Sequence, residues 1–315
     1  MKDTSLNHRE AVAQMMEKHN IPQSAIMDCL ELFESKGWTD KIENFLPVDK
    51  GMTNRLYRFC ANGEEMLLRV AGEGSEYLVD REQEYWIYRK LESKGITDHY
   101  VYMNPQTGIK LTKYISNARC CDPQNMEDVE RCMRHMAQFH EMKIMGQVDF
   151  DLFHKLEEYE QYCSHDIKAF FPDYDQVRAS MQDLKKIIES SQREFCICHV
   201  DPVPDNFLIQ DDSVFLIDWE YAAMGDPHMD VAMFCVYSDY NKQQVDQVID
   251  HYFRGSCSAQ IRRKIYCYIA VSGLLWTVWC EIKRDSGVLF EEYEQQQYRY
   301  AKDFYRYAMD MEVNT

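Results

Sequence analysis

Hydrophobic spacing divides the chain into a helical start, a strand-rich stretch and a long, mostly helical remainder. Residues 5–40 carry apolar positions at helical spacing (Ala11, Val12, Met15, Met16, then Ile26, Cys29, Leu30, Phe33). Pro22 separates two helices there and Gly37 ends the second. From Phe45 the pattern changes to strands: 46–48, a Lys-Gly-Met-Thr-Asn turn at 50–54, 56–59, and an Asn62-Gly63 hairpin turn into 65–70. A helix over 80–94 puts Glu84, Tyr88 and Leu91 on one face, and a hairpin over 102–115 closes this part. The helix over 126–143 has Val129, Met133, Met136 and Phe139 on one stripe, which reads as core. Two polar, tyrosine-rich helices over 150–192 are interrupted at Phe171-Pro172, and helices over 261–283 and at the C-terminal end complete the series.

One segment breaks the helical run. An apolar stretch at 195–198 leads into His199-Val200-Asp201, and Asn206 follows five residues after that Asp. Apolar residues 207–209, a Gln-Asp-Asp turn and 214–217 read as a hairpin of buried strands, with Asp218 at its end. A helix is expected to begin at Asp230, followed by Val231, Ala232, Phe234 and Cys235. The fold class expected is α+β: a small N-terminal antiparallel sheet with one main helix, then a larger, mostly helical part.

Composition narrows the function. A length of 315 residues suffices for two lobes, and 45% hydrophobic with 28% charged residues is ordinary for a soluble globular protein. The polar opening MKDTSLNHREAVAQ carries no secretory pattern. The longest apolar run, 265–280, contains Ser272 and Thr277 and falls short of the roughly 20 residues that span a bilayer. No membrane span is therefore expected, and a cytoplasmic location is. The 12 cysteines are scattered without a CxxC pair, which predicts reduced thiols and no cysteine-built zinc site. A net charge of −18 argues against nucleic acid. The same field repels a nucleotide, so magnesium and local cations must offset it, and it favours a small cationic substrate.

Asp201, Asn206 and Asp218 are the residue types that phosphoryl transfer from a nucleotide requires. One Asp accepts the proton of the attacking hydroxyl, while an Asn and a second Asp hold magnesium against the phosphates. The spacing His-x-Asp-x-x-x-x-Asn is that of the protein-kinase catalytic loop, with Asp218-Trp219-Glu220 in place of Asp-Phe-Gly. A solvated Asp-rich turn is the plain alternative. The composite with Gly225-Asp226-Pro227-x-x-Asp230-x-Ala232 is far rarer than either half.

HVDPVPDN, IDWEY and GDPHMDVA closely resemble the choline kinase branch of the aminoglycoside phosphotransferase-like, kinase-like superfamily, and most of all its bacterial choline kinases. The resemblance runs from about residue 45 to 310. It implies a bilobal protein kinase-like fold, with a nucleotide-binding lobe over 1–116 (1–40 as a helical extension) and a catalytic and substrate lobe over 117–315. It also implies ATP-dependent phosphorylation of choline, with ATP and Mg2+ bound. Thr53 and Asn54 would lie in the nucleotide-covering loop and Arg69 would steady phosphates, paired with Glu84 or, failing that, Glu82. Backbone at 111–115 would meet adenine. His140 and His199 would be structural, and Asp230 would brace the catalytic loop or simply cap a helix.

For the substrate, Trp276 and Trp279 lie three apart on one helix face, where core packing is the plainer reading taken alone. Aromatic faces with a carboxylate nearby recognise a quaternary ammonium. The resemblance places Trp276, Trp279 and Tyr221 in such a wall, with Glu220 supplying charge and Tyr293 and Tyr298 as further candidates. Rival substrates are ethanolamine, an aminoglycoside or another small alcohol such as thiamine. A rival class is a catalytically silent kinase-like binding module. A monomer or homodimer is expected.

Overall fold

A computed structural model describes residues 2–48, 54–72, 79–285 and 287–311. The chain divides into two compact units, Met1–Arg119 with Gln210–Tyr221, and Cys120–Ile209 with Ala222–Thr315.

The first unit contains, in chain order, α1 (Lys2–Lys18), α2 (Gln23–Ser35), β1 (Ile42–Val48), β2 (Asn54–Ala61), β3 (Glu64–Ala71), α3 (Arg81–Leu91), β4 (Tyr100–Asn104) and β5 (Ile109–Lys113). The five strands form one antiparallel sheet in the order β1-β2-β3-β5-β4. Asn62 and Gly63 both take positive φ (54° and 81°), which a tight two-residue hairpin requires. Strand alternation sends Met66, Leu68, Val70, Ile109 and Leu111 into one apolar cluster with Met16, Ile26, Cys29 and Phe33 of the terminal helices. The two helices thus complete the core of the sheet. By the same alternation Arg69 of β3 and Lys110 of β5, register partners, point to the opposite face.

The remaining elements are β6 (Arg119–Cys120), α4 (Met126–Glu141), α5 (Leu152–Tyr162), α6 (Tyr174–Ser190), β7 (Cys196–Cys198), the hairpin strands β8 (Phe207–Gln210) and β9 (Ser213–Leu216), β10 (Ala223–Gly225), α7 (Pro227–Tyr237), α8 (Lys242–Tyr252), α9 (Ala259–Asp285) and α10 (Glu291–Asp310). In the second unit β7 pairs antiparallel with β10. The axis of that unit is α9, which packs against α5, α6, α7 and α10. By length and composition α9 could cross a membrane, but 83% of its most apolar window is buried inside the protein, as in a core helix. At Gly273 a Cβ would stand 2.6 Å from the Gln297 carbonyl oxygen and 2.8 Å from Tyr300 Cβ, so glycine is what lets α10 lie this close.

Two expectations need correcting. α7 begins at Pro227, not at Asp230, and its cap is Asp226, whose carboxylate accepts from His228 N at 3.1 Å. The simple-cap alternative for Asp230 therefore falls. The structure also adds α8, whose Val245, Val248, Ile249 and Tyr252 keep helical spacing behind an Asn241/Gln244 capping box. All twelve cysteines are free thiols.

Candidate active site

On the α3 side of the first unit's sheet, three cations surround a buried carboxylate. Glu84, fully buried on α3, accepts from Arg69 Nη2 at 2.7 Å, Arg81 Nη1 at 2.9 Å and Lys110 Nζ at 3.2 Å. Arg69 grips both Glu84 oxygens, a bidentate geometry that only a guanidinium offers. Arg81 also donates to Glu220 Oε2 at 3.0 Å and, through Nη2, to Asn54 Oδ1 at 3.0 Å; Asn54 Nδ2 returns to Glu220 at 3.1 Å. Burial pushes the Glu84 carboxyl up, but the three cations outweigh it and hold the group well below the usual carboxylate range. Glu82, the fallback partner for Arg69, is exposed and accepts instead from Gln106 Nε2 at 2.9 Å. Thr53 lies outside the described residues.

The sequence alone does not single out Arg81 or Lys110. An Arg in the first turn of a helix and a Lys in a short strand look like surface residues. Only the β3–β5 register, which sets Arg69 opposite Lys110, shows that like charges adjoin and need Glu84 between them.

After β9 the chain turns at Asp218 with φ +66°. Burial pushes the Asp218 carboxyl up to about 6, Lys110 and Arg69 drawing it down and Glu220 and Glu84 adding to the rise. Trp219 is fully buried and donates its indole N–H to Thr97 Oγ1 and Leu216 O, both at 2.9 Å, which fixes the backbone just past Asp218.

In the second unit β7 delivers the His199–Asp201 loop. Val200 sits at φ +70°, a conformation that costs a β-branched residue on the order of 1–3 kcal/mol. Asp230 offsets that strain. Its buried carboxylate accepts from Val200 N at 2.9 Å and His199 N at 2.6 Å, and lies 3.0 Å from His140 Nε2, whose other nitrogen is 2.8 Å from the Tyr252 hydroxyl. Asn206 ends a short 3-10 turn and donates its amide nitrogen to the Asp201 carbonyl at 2.9 Å. The amide nitrogen offers only N–H donors, so the amide oxygen is the lone-pair donor of this side chain.

An aromatic row begins at Asp201. The Tyr237 hydroxyl is raised by burial and by the Asp201 carboxylate, to which it hydrogen-bonds. Burial also raises Tyr159 and Tyr293, each with a contribution from the Asp201 charge. The Tyr237 ring lies 5.3 Å from Trp276, Trp276 lies 5.7 Å edge-on from Trp279, and Trp279 lies 5.3 Å from Phe290. Between Lys264 and Glu281 of α9, Trp276 and Trp279 are the two residues that are only partly buried. Tyr298 instead is buried, packed near Phe171 and bonded to Asp173 at 2.8 Å. Tyr221, in the first unit, is 38% exposed. Nothing local in the sequence distinguishes Tyr159 and Tyr237 among 21 tyrosines.

An antiparallel sheet carrying a buried Arg–Glu pair, and a helical unit carrying the His-x-Asp loop, define a phosphotransferase of the protein kinase-like class. The sequence model of the choline/ethanolamine kinase family matches residues 45–252, and the chain belongs to that family of small-molecule kinases. It is similar to protein LicA of Haemophilus influenzae, 25% identical over 261 residues that cover 77% of this chain and 74% of the relative. Among solved structures, choline kinase LicA from Streptococcus pneumoniae superposes with a TM-score of 0.73 at 23% identity, covering 90% of this chain and all of that one. A thermostable mutant of aminoglycoside phosphotransferase APH(4)-Ia, in ternary complex with AMP-PNP and hygromycin B, superposes with a TM-score of 0.62 at 14% identity, covering 89% and 97%.

Proposed function

We propose that this kinase transfers the γ-phosphoryl group of ATP to the hydroxyl of choline, giving phosphocholine and ADP. The observation that carries the choline reading is the pair Trp276 and Trp279, held partly open on an otherwise buried helix and joined through Tyr237 to Asp201. A trimethylammonium has no N–H to donate and is held by aromatic faces, worth about 0.5–2 kcal/mol per ring. A primary ammonium would call for hydrogen-bond acceptors where the tryptophans stand. Glu220 is assigned to Arg81 and Asn54, which already match its charge, and not to the substrate cation.

Asp201 orients the substrate hydroxyl and takes its proton as the new P–O bond forms. Tyr237 holds that carboxylate in place, and Asp230 holds the loop that carries it. Arg69, with Lys110 and Glu84 fixing its direction, steadies the phosphates, and Asn54 serves the nucleotide-covering turn. The Asn206 amide oxygen and the Asp218 carboxylate are each hard oxygen donors of the kind magnesium takes, and a carboxyl raised by burial is one that gains from a cation. Magnesium, when bound, would neutralise charge on the β- and γ-phosphates. ADP release should be measured with magnesium-ATP and choline, ethanolamine or kanamycin at matched concentrations. Turnover with choline above both others is expected, with W276A raising KM for choline more than it lowers kcat. Preference for ethanolamine or kanamycin would overturn the choline assignment.

A further inference from the structure

Away from these residues, the loop after α5 and the last turn of α9 bring together a thiol, an imidazole and a carboxylate. Cys163 Sγ, a ring nitrogen of His165 and a carboxylate oxygen of Asp285 all lie within 4.8 Å of one another. His165 Nδ1 is 2.8 Å from Asp285 Oδ1 and 3.9 Å from Cys163 Sγ. Donor atoms around a tetrahedral ion with bonds of about 2.0–2.3 Å stand roughly 3.3–3.8 Å apart, so the two separations at His165 Nδ1 close on an ion with shifts of about half an ångström.

The surroundings are built for such an ion. The far ring nitrogen, His165 Nε2, bonds to Glu281, a fully buried carboxylate that Arg284 Nε holds at 3.3 Å. A carboxylate on the far nitrogen is how a protein fixes the ring and tautomer of a metal-binding histidine. The Asp285 carboxylate is steadied by Ser164 N at 2.9 Å, and the His165 ring stands edge-on to Phe170 at 5.7 Å. Glu281 and Asp285 of α9 hold the His165 ring from opposite sides, with Arg284 paired to Glu281 and to Glu294 of α10, so a dication on the ring would be balanced by the carboxylates on either side of it. Sulfur, nitrogen and oxygen donors together select a borderline-soft transition ion over magnesium or calcium.

We propose that Cys163, His165 and Asp285 bind a zinc-class divalent metal, with Glu281 orienting the His165 ring, and that the ion staples the α5 loop to the end of α9. The ligands come from segments 120 residues apart, which is why no Cys/His spacing in the sequence announces them. The competing arrangement is an imidazolium bridging Glu281 and Asp285, in which a proton occupies Nδ1 in place of the metal.

The full-length protein, freed of metal with a chelator, should be titrated with Co2+ and followed by absorbance. One equivalent is expected to give tetrahedral visible bands and a near-ultraviolet thiolate-to-cobalt band that Zn2+ abolishes by displacement. C163S should lose the thiolate band, and E281Q should weaken Co2+ binding about 10–100-fold. Absence of a saturable single equivalent would overturn the proposal in favour of the imidazolium. A thiolate band undiminished in C163S would overturn it by placing the metal on another cysteine.

Discussion

Replacing Glu84 by Gln tests whether the buried cation cluster holds the first unit together. Glu84 has no exposed surface and takes Arg69, Arg81 and Lys110 at 2.7, 2.9 and 3.2 Å. A Gln of the same shape removes the charge and turns an N–H2 toward three donors. Removing one partner of a buried ion pair costs about 3–5 kcal/mol, because the other charge stays buried without compensation. Glu220, 3.9 Å from Arg69 and 3.0 Å from Arg81, remains as partial compensation, so about 3 kcal/mol is expected. Equilibrium urea unfolding followed by circular dichroism measures it, with the dependence on urea unchanged so that the shift in midpoint reports stability.

E82Q is the internal control. Glu82 is exposed two residues earlier on the same helix and should change stability by no more than about 0.5 kcal/mol. The double variant E84Q/K110M removes one of the stranded cations and should be more stable than the sum of its parts by about 0.5–3 kcal/mol. An E84Q cost no greater than that of E82Q would refute the reasoning, since it would mean that water already solvates Arg69 and Lys110.

Three further outcomes follow from the geometry. D201N should lower turnover by about 10²–10⁴-fold with an unchanged circular dichroism spectrum, because the loop is braced by Asp230 and not by the Asp201 carboxylate. G273A should lower stability by about 1–3 kcal/mol in the same urea assay, since its Cβ would meet the α10 backbone at 2.6 Å. Burial pushes His228 down from 6.5 to about 4, so the unfolded chain takes up its proton first and stability should fall as pH drops through that window, by roughly 3 kcal/mol at most. H228Q should flatten the loss between pH 6.5 and 4 when unfolding midpoints are compared.

What could be read from the sequence was what is local in it. The Asn62-Gly63 turn, the stripe of α4 and the apolar run of α9 follow from a turn signal, a period and a length, and the Arg69–Glu84 pair from the resemblance to kinases. What could not be read needed register or distance. Lys110 becomes a partner of Glu84 only when β5 is set beside β3, and Tyr237 reaches Asp201 from the far end of α7. Asp230 shows the boundary between the two. Its position near a helix start suggests a cap, yet its carboxylate reaches back 30 residues to Val200 N, and the strained φ there makes that bond necessary.

The charge balance of the first unit bears on the proposed use of magnesium. A protein of net charge −18 repels a nucleotide at a distance, and a basic patch would be the simplest remedy. Arg69, Arg81 and Lys110 do not provide one, because Glu84, Glu220 and Asp218 cancel them. With Asp218 near 6, that cancellation is nearly complete at neutral pH. Phosphate could then draw on these cations only by competing with the carboxylates, and Lys110, whose one carboxylate bond, to Glu84, is the longest at 3.2 Å, is the one most readily exchanged. An ion at Asp218 would remove one carboxylate from that competition. Nucleotide affinity should therefore depend on magnesium more steeply in the native protein than in K110M, where the exchangeable cation is gone, when ATP binding is titrated across magnesium concentrations.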